Sequence, residues 1–175
     1  MEYTITELAS HEDLQKTINK LAFEISNDVI SKKSTTPPVF ICILNGSIHF
    51  FSDLVRAIYM DAEIDFMRLK SYEGQDNSAG VKLTKDIELD VTDRHVYLVD
   101  DIIDTGATTN YAIDLIKSRN AASVSTVTLF HRNGGPSSTF NGIVIDDEWI
   151  YGYGLDDNGL FRNINRVVYK NFKKD

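Results

Sequence analysis

The residues most able to do chemistry lie in one run, Asp100-Asp101-Ile102-Ile103-Asp104-Thr105-Gly106-Ala107-Thr108-Thr109. Two adjacent carboxylates follow the apolar stretch Val96-Tyr97-Leu98-Val99, and a third, Asp104, starts a segment of threonines around one glycine. Successive backbone N–H groups in such a loop form an anion nest, and where the loop opens a helix the helix dipole points the same way. Threonine hydroxyls add donors, so a phosphate fits there. Asp100 and Asp101 repel phosphate and need a cation or a sugar hydroxyl as partner. The ligand expected on these grounds has a phosphate at one end and a polyol or Mg²⁺ in the middle. A plainer reading is a solvated acidic turn with Asp104 or Thr105 as helix N-cap. Paired acids at a strand end also occur in phospho-acceptor receiver domains. The glycine and threonine pattern goes beyond what capping requires.

The elements around this run must hold it in place. Leu14, Ile18, Leu21, Ile25 and Val29 recur at helical spacing, with Ser10 as N-cap and Glu12 and Asp13 at the positive end of the dipole. That helix ends by Ser34-Thr35-Thr36-Pro37-Pro38. Val39-Phe40-Ile41-Cys42-Ile43-Leu44 reads as a strand buried on both faces, and Asn45-Gly46-Ser47 turns the chain into a helix carrying Phe50, Leu54 and Ile58. Residues 63–70 read as a strand, residues 71–80 as a polar, mobile loop, and residues 81–89 as one or two short strands. Residues 96–99 form a buried strand that ends in the two acids. A helix with Tyr111, Ala112, Leu115 and Ile116 facing inward follows it. Residues 124–130 form another strand, 131–138 a loop, and 143–145, 150–153 and 167–169 short strands. Strand–helix alternation with apolar strands predicts an α/β fold with a parallel sheet covered on both sides, whose ligands bind at the carboxyl ends of the strands. Three segments meet there: Asn45-Gly46-Ser47, residues 100–108, and His131 onward.

Composition narrows the classes. The chain has 175 residues, 42% hydrophobic and 25% charged, which suits one globular domain and excludes intrinsic disorder as the main state. The balance of 18 Lys+Arg against 26 Asp+Glu gives −8, and the basic runs are only Lys32-Lys33 and Lys173-Lys174. Nucleic-acid and anionic-membrane partners are therefore disfavoured. No stretch of about 18 apolar residues exists to span a membrane, and Met1-Glu2-Tyr3-Thr4 shows no signal-peptide character. The single cysteine, Cys42, sits in an apolar run and points to a reducing, cytoplasmic location.

The run of four apolar residues, two acids, two apolar residues and Asp-Thr-Gly-x-Thr closely resembles the signature of type I phosphoribosyltransferases. Leu44-Asn45-Gly46-Ser47 with the following helix looks like the first loop of the hypoxanthine-guanine branch. Asp65-Phe66-Met67 to Ser71-Tyr72 resembles the strand entering its mobile lid. Asp147-Glu148-Trp149-Ile150-Tyr151-Gly152-Tyr153-Gly154-Leu155-Asp156 and Phe161-Arg162-Asn163 look like its purine-binding hood. The resemblance covers roughly residues 10–170 in one register. It implies a single domain over 1–175: a parallel-sheet core at about 10–130, a hood at about 131–175 plus part of the N-terminus, and a lid at about 71–80.

The resemblance also implies an activity: Mg²⁺-dependent transfer of a phosphoribosyl group from phosphoribosyl pyrophosphate to N9 of hypoxanthine or guanine, giving the nucleoside monophosphate and pyrophosphate. By motif position, Asp100 and Asp101 hold the ribose hydroxyls and a Mg²⁺, and Asp156 lies near a second Mg²⁺. Asp104 is the general base near purine N7. Ile102 lies beside it, and Thr105, Gly106, Ala107 and Thr108 cradle the 5′-phosphate. Ser71, Tyr72 and Arg162 reach pyrophosphate, and Asn45 and Gly46 offer backbone donors to the substrate. Trp149 stacks on the purine and Ile150 offers its backbone to the ring edge. Two positions depart from the family pattern. Asn45 stands where a lysine is usual. Phe130-His131-Arg132-Asn133 stands where the family places a lysine on the purine 6-oxo group, and Arg132 or, less firmly, His131 takes that role. A xanthine-preferring or pyrimidine relative, and a non-catalytic sensor of phosphoribosyl pyrophosphate, are the alternatives; the −8 charge speaks against an RNA-binding sensor. The family implies a homodimer or homotetramer.

Overall fold

The computed structural model describes residues 3–73 and 79–172. Strand β1 (Tyr3–Ala9) leads into helix α1 (His11–Lys32), strand β2 (Val39–Leu44), helix α2 (Ile48–Ala57) and strand β3 (Glu63–Glu73). Then come β4 (Ala79–Lys85), β5 (His95–Ile103), helix α3 (Ala107–Lys117), β6 (Ser123–Arg132), β7 (Phe140–Ile145), β8 (Ile150–Tyr151) and β9 (Val167–Phe172). The main sheet has the order β4-β3-β2-β5-β6-β7, parallel throughout except for the antiparallel edge pair β3–β4. A second, small sheet is antiparallel, in the order β1-β9-β8.

Alternation along the central strands sorts the core into two layers. Phe40, Cys42, Tyr97 and Val99 pack with α1 and α2, while Val39, Ile41, Ile43, Val96 and Leu98 pack with α3. Helix α1 buries Leu14, Ile18, Leu21 and Ile25 as its spacing predicts. Ser10 and Asp13 close a reciprocal capping box at its start, and Lys33 in the left-handed conformation ends it. The chain leaves β2 toward β3 on one side and leaves β5 toward β6 on the other, so their exit loops part and open a crevice at the strands' carboxyl ends.

Several boundaries differ from the sequence reading. Strand β5 does not stop at Val99 but carries Asp100 and Asp101 within it, because β6 continues the ladder beside them, pairing Asp100 with Thr128 and Ile103 with His131. Strand β6 likewise runs to Arg132, which pairs with Ile145 of β7, so His131 and Arg132 close a strand instead of opening a loop. The predicted loop 71–80 is a hairpin at both ends, with Ser71 opposite Val81 and Tyr72 opposite Gly80; its middle, residues 74–78, lies outside the described residues. Helix α3 buries Thr109, Ala112 and Ile116 and leaves Tyr111 outside, since 109, 112 and 116 form the stripe that faces the sheet. Its N-cap is Gly106, not Asp104 or Thr105. Strand β1 went unpredicted because its side chains are mostly exposed and its pairing partner, β9, lies at the far end of the chain.

Candidate active site

The crevice holds two adjoining cavities. One, of about 270 Å³, is bounded by residues 43–46, Leu69 and residues 100–109. The other, of about 350 Å³, lies between Arg132, Trp149, Ile150, Leu155, Asp156 and Arg162. Gly46, Asp101, Ile102 and Asp104 belong to both walls. Three exit loops and the segment from Trp149 to Arg162 thus converge on one place, and residues 100–109 line it from below.

The strand's pleat separates the two acids. Asp100 shares parity with Val96 and Leu98, on the α3 face; Asp101 shares parity with Tyr97 and Val99, on the α2 face. Each carboxylate accepts the next backbone N–H: Asp101 N donates to Asp100 at 3.0 Å and Ile102 N to Asp101 at 2.8 Å. Burial, and then the neighbouring Asp101 charge, push the Asp100 carboxyl well above the usual carboxylate range. Burial also raises Asp101, while the hydrogen bond from the Ile102 N–H, then that with Asp100 and, least, the Arg162 guanidinium pull it back. Two half-buried carboxylates that repel each other, with no salt-bridge partner among the described residues, form a site that a cation relieves. They are not part of any cluster of three or more metal-ligating side chains among the described residues. Mg²⁺ does not need one: it binds one or two carboxylates and takes its other oxygens from water and substrate phosphates. The donor set therefore fits Mg²⁺.

The loop after β5 turns at Gly106, whose φ of 81° lies in the left-handed region that favours glycine. The turn leads directly into α3 at Ala107, whose first N–H groups have no intrahelical acceptor. Thr105 Oγ1 accepts from Ala107 N at 3.4 Å, and Thr109 is buried. The loop after β2 is fixed differently. Ser47 is fully buried, donates from Oγ to the Ile43 carbonyl and meets Cys42 Sγ at 3.2 Å; the Leu44–Asn45 peptide bond is cis. A Cβ at position 46 would lie 1.7 Å from Asp101 Oδ2, so any larger residue there would have to displace that carboxylate.

Asp104 is 71% exposed toward the crevice, and its Oδ1 accepts from Arg132 Nε at 3.0 Å. Arg132 Nη1 donates to the Asp146 carbonyl at 2.7 Å. Arg132 lines the second cavity and its strand neighbour His131 does not; His131 Nδ1 is buried without a hydrogen-bond partner among the described residues. Trp149 is 64% exposed at the cavity edge, and Ile150 behind it is buried. Arg162 Nη2 lies 2.6 Å from Asp156 Oδ1, while its Nη1 donates to the Gly154 carbonyl at 2.6 Å. Asp156 Oδ2 accepts from Gly159 N at 2.7 Å, so both its oxygens have protein donors. Of the residues singled out from the sequence, Asn45, Gly46, Asp100, Asp101, Ile102, Asp104, residues 105–108, Arg132, Trp149, Ile150, Asp156 and Arg162 all border the two cavities. Ser71 and Tyr72 lie on β3 opposite β4. The sequence reading missed Leu69 and Leu155 as wall residues and Asp146 as a support for Arg132. The first two are lone leucines beside polar neighbours, Arg68 and Lys70 or Gly154 and Asp156, and read as ordinary packing positions; the third acts through a backbone carbonyl, so none leaves a signal in the residue pattern.

Residues 4–158 match the family model described as "Phosphoribosyl transferase domain". A hypoxanthine-guanine phosphoribosyltransferase of Streptococcus pneumoniae is 36% identical over 162 residues, 90% of this chain and 88% of that protein. A hypoxanthine-guanine-xanthine phosphoribosyltransferase of Tritrichomonas foetus is 32% identical over 162 residues, 90% of this chain and 86% of that one. Among solved structures, a hypoxanthine phosphoribosyltransferase from Staphylococcus aureus superposes with a TM-score of 0.85 at 32% identity, covering 94% of this chain and 90% of its own.

Proposed function

The chain belongs to the phosphoribosyl transferase domain family, and from that premise we propose that it is a hypoxanthine-guanine phosphoribosyltransferase of purine salvage. The reaction transfers the 5-phosphoribosyl group of phosphoribosyl pyrophosphate to N9 of the base. The observation that carries this reading is the pair of adjoining cavities with Asp101 and Asp104 on their common wall; on this reading the first takes the sugar phosphate and the second the flat base.

Residues 105–108 and the start of α3 take the 5′-phosphate. Asp100 and Asp101 take the ribose hydroxyls and hold Mg²⁺, which when bound neutralises charge growing on the departing pyrophosphate. Asn45 and Gly46 present backbone donors to that pyrophosphate, and Arg162 grips it with a fixed fork of N–H groups. Arg162 must then leave Asp156, and Asp156 becomes free to serve the second metal position. The ribose becomes oxocarbenium-like as pyrophosphate departs, and the carboxylates beneath it tolerate the positive charge. Trp149 stacks on the purine, the Ile150 backbone meets its edge, and Arg132 donates to the 6-oxo group. Asp104, at the common wall, takes the proton from the purine N7 side. Ser71 and Tyr72 extend toward pyrophosphate when the lid closes and excludes water from the activated sugar.

The same reading makes the protein a cytoplasmic homodimer or homotetramer. A single buried thiol supports the first part, and no described helix is long and apolar enough to cross a membrane. The test of the function is an absorbance assay of hypoxanthine, guanine and xanthine, each with phosphoribosyl pyrophosphate and Mg²⁺. Formation of the hypoxanthine or guanine monophosphate is the expected result; no turnover of any oxopurine rejects the proposal.

A further inference from the structure

We infer that the Tyr153–Asp53 hydrogen bond is a latch that holds the hood against the loop after β2, which makes Tyr153 a positioning residue for both substrates. The inference rests on the phosphoribosyltransferase reading of the site.

Tyr153 is buried, yet its φ is 50°. A bulky residue in the left-handed region is an outlier, and it persists only where its surroundings hold it. Gly152 and Gly154 flank it, each with a φ of 103°, so three successive residues have positive φ. The turn presses the backbone of Gly154 onto the loop after β2: a Cβ on Gly154 would lie 1.9 Å from the Gly46 carbonyl oxygen. The Tyr153 side chain reaches α2, where its hydroxyl donates to Asp53 Oδ2.

Asp53 is itself fixed. It accepts from Gln15 Nε2 of α1 at 3.0 Å and pairs with Arg56 one turn further along α2. Helix α2 starts immediately after Asn45-Gly46-Ser47, with Ile48 N donating to the Asn45 carbonyl at 3.3 Å and Phe51 N to that of Ser47 at 2.7 Å. Gly46, which belongs to the walls of both cavities, and Gly154, which presses on it, are therefore tied to one rigid body. Gly46 is held through the helix start and Gly154 through the Tyr153 side chain. Movement at Gly154 would be passed on directly. Its N–H donates to the Arg162 carbonyl at 2.9 Å, its carbonyl accepts from Arg162 Nη1, and Leu155 and Asp156 follow it into the second cavity. Burial, and then Asp53, raise the Tyr153 hydroxyl far above its ordinary value, so it stays a donor at any working pH.

Asp104 and residues 105–109 lie in the loop after β5 and the first turn of α3, outside this linkage. Loosening the latch should therefore weaken substrate binding and spare the chemical step. The experiment compares Tyr153→Phe, which removes only the hydroxyl, with Asp53→Asn, whose amide oxygen still accepts from Tyr153, with Asp53→Ala and with the Tyr153→Phe/Asp53→Ala double variant. Tyr153→Phe should raise KM for phosphoribosyl pyrophosphate and for the oxopurine about 10-fold while kcat stays within about threefold. Asp53→Asn should keep both KM values within about threefold of wild type, and the double variant should be no worse than Asp53→Ala alone. Backbone hydrogen exchange over residues 150–165 should quicken in Tyr153→Phe, and this is readable without turnover. Unchanged KM and unchanged exchange in Tyr153→Phe, even with a lowered Tm, overturn the latch; so do independent, multiplicative effects of the two substitutions. If wild type turns over no oxopurine, the functional reading fails while exchange still decides the latch.

Discussion

Arg132 Nε donates to Asp104 Oδ1 at 3.0 Å, across 28 positions of sequence, and joins the end of β6 to the end of β5. The guanidinium is fixed at a second point by the Asp146 carbonyl. A planar fork held on two edges presents its remaining donors in one orientation, which a lysine at this position cannot do. The same contact places a permanent cation beside the proposed base.

Arg132→Ala should raise KM for 6-oxopurines about 10-fold or more and leave KM for phosphoribosyl pyrophosphate little changed, because an unmatched buried carbonyl costs about 1–3 kcal/mol. His131→Ala should do less, since His131 is not on the cavity wall. Steady-state kinetics on both variants decide the point. If His131→Ala is the damaging change, the 6-oxo donor has been misassigned.

Asp104→Asn should lower kcat more than it weakens binding. The amide keeps the shape and can still accept from Arg132, but it cannot take a proton, and general acid–base help is typically worth about 10²–10⁴-fold. A kcat within about threefold of wild type removes Asp104 from the role of base.

Asp100→Asn should stabilise the ligand-free protein at neutral pH while depressing activity. The Asp100 carboxyl is raised by burial and by Asp101, so the folded state binds its proton more tightly than the unfolded chain does. The stability this proton contributes is complete below the unfolded pKa of about 3.9 and is lost as pH rises through the folded value. Above that window wild type bears the cost of two adjacent charges and the variant does not. A gain of about 1 kcal/mol would raise Tm by about 2–4 °C in a chain of this size. Thermal melts should show the difference between the two proteins shrinking as pH falls toward 4; a lower Tm for the variant at pH 8 contradicts the account.

Chelation of Mg²⁺ should abolish turnover, and readdition should restore it. Phosphoribosyl pyrophosphate with Mg²⁺ should raise Tm more than either does alone, by mass action on the folded state. Full activity in excess chelator would disprove the role given to Asp100 and Asp101.

Gly46→Ala should cost activity out of proportion to stability. Its Cβ would lie 1.7 Å from Asp101 Oδ2, so the carboxylate or the loop must shift, and both cavities share that wall. A drop in kcat/KM of about 100-fold or more with little change in circular dichroism is the expected pair of results.

What the sequence revealed and what it hid divide along physical lines. Helices α1 and α2 and the strands β2 and β6 announce themselves, because burial on a stripe or on both faces leaves a periodic apolar pattern. The signature run stands out for a different reason: three acids, a glycine and threonines in that order go beyond what helix capping requires. The ends of β5 and β6 were not legible. Whether Asp100 continues a strand depends on Thr128 lying beside it, and that pairing is tertiary. The Arg162–Asp156 pair and the contact of Gly154 with Gly46 were hidden for the same reason.

The course of β5 through both acids bears on which length changes this protein can survive. Because neighbouring side chains on a strand face opposite ways, one residue added or removed between His95 and Asp100 would exchange the faces of Asp100 and Asp101 and invert the apolar layers behind them. The loop between Asn133 and Thr139, which joins β6 to β7, carries no such parity. Indels should therefore be tolerated there and be absent from β5, and a library of single-codon insertions selected for growth on hypoxanthine would display that contrast directly.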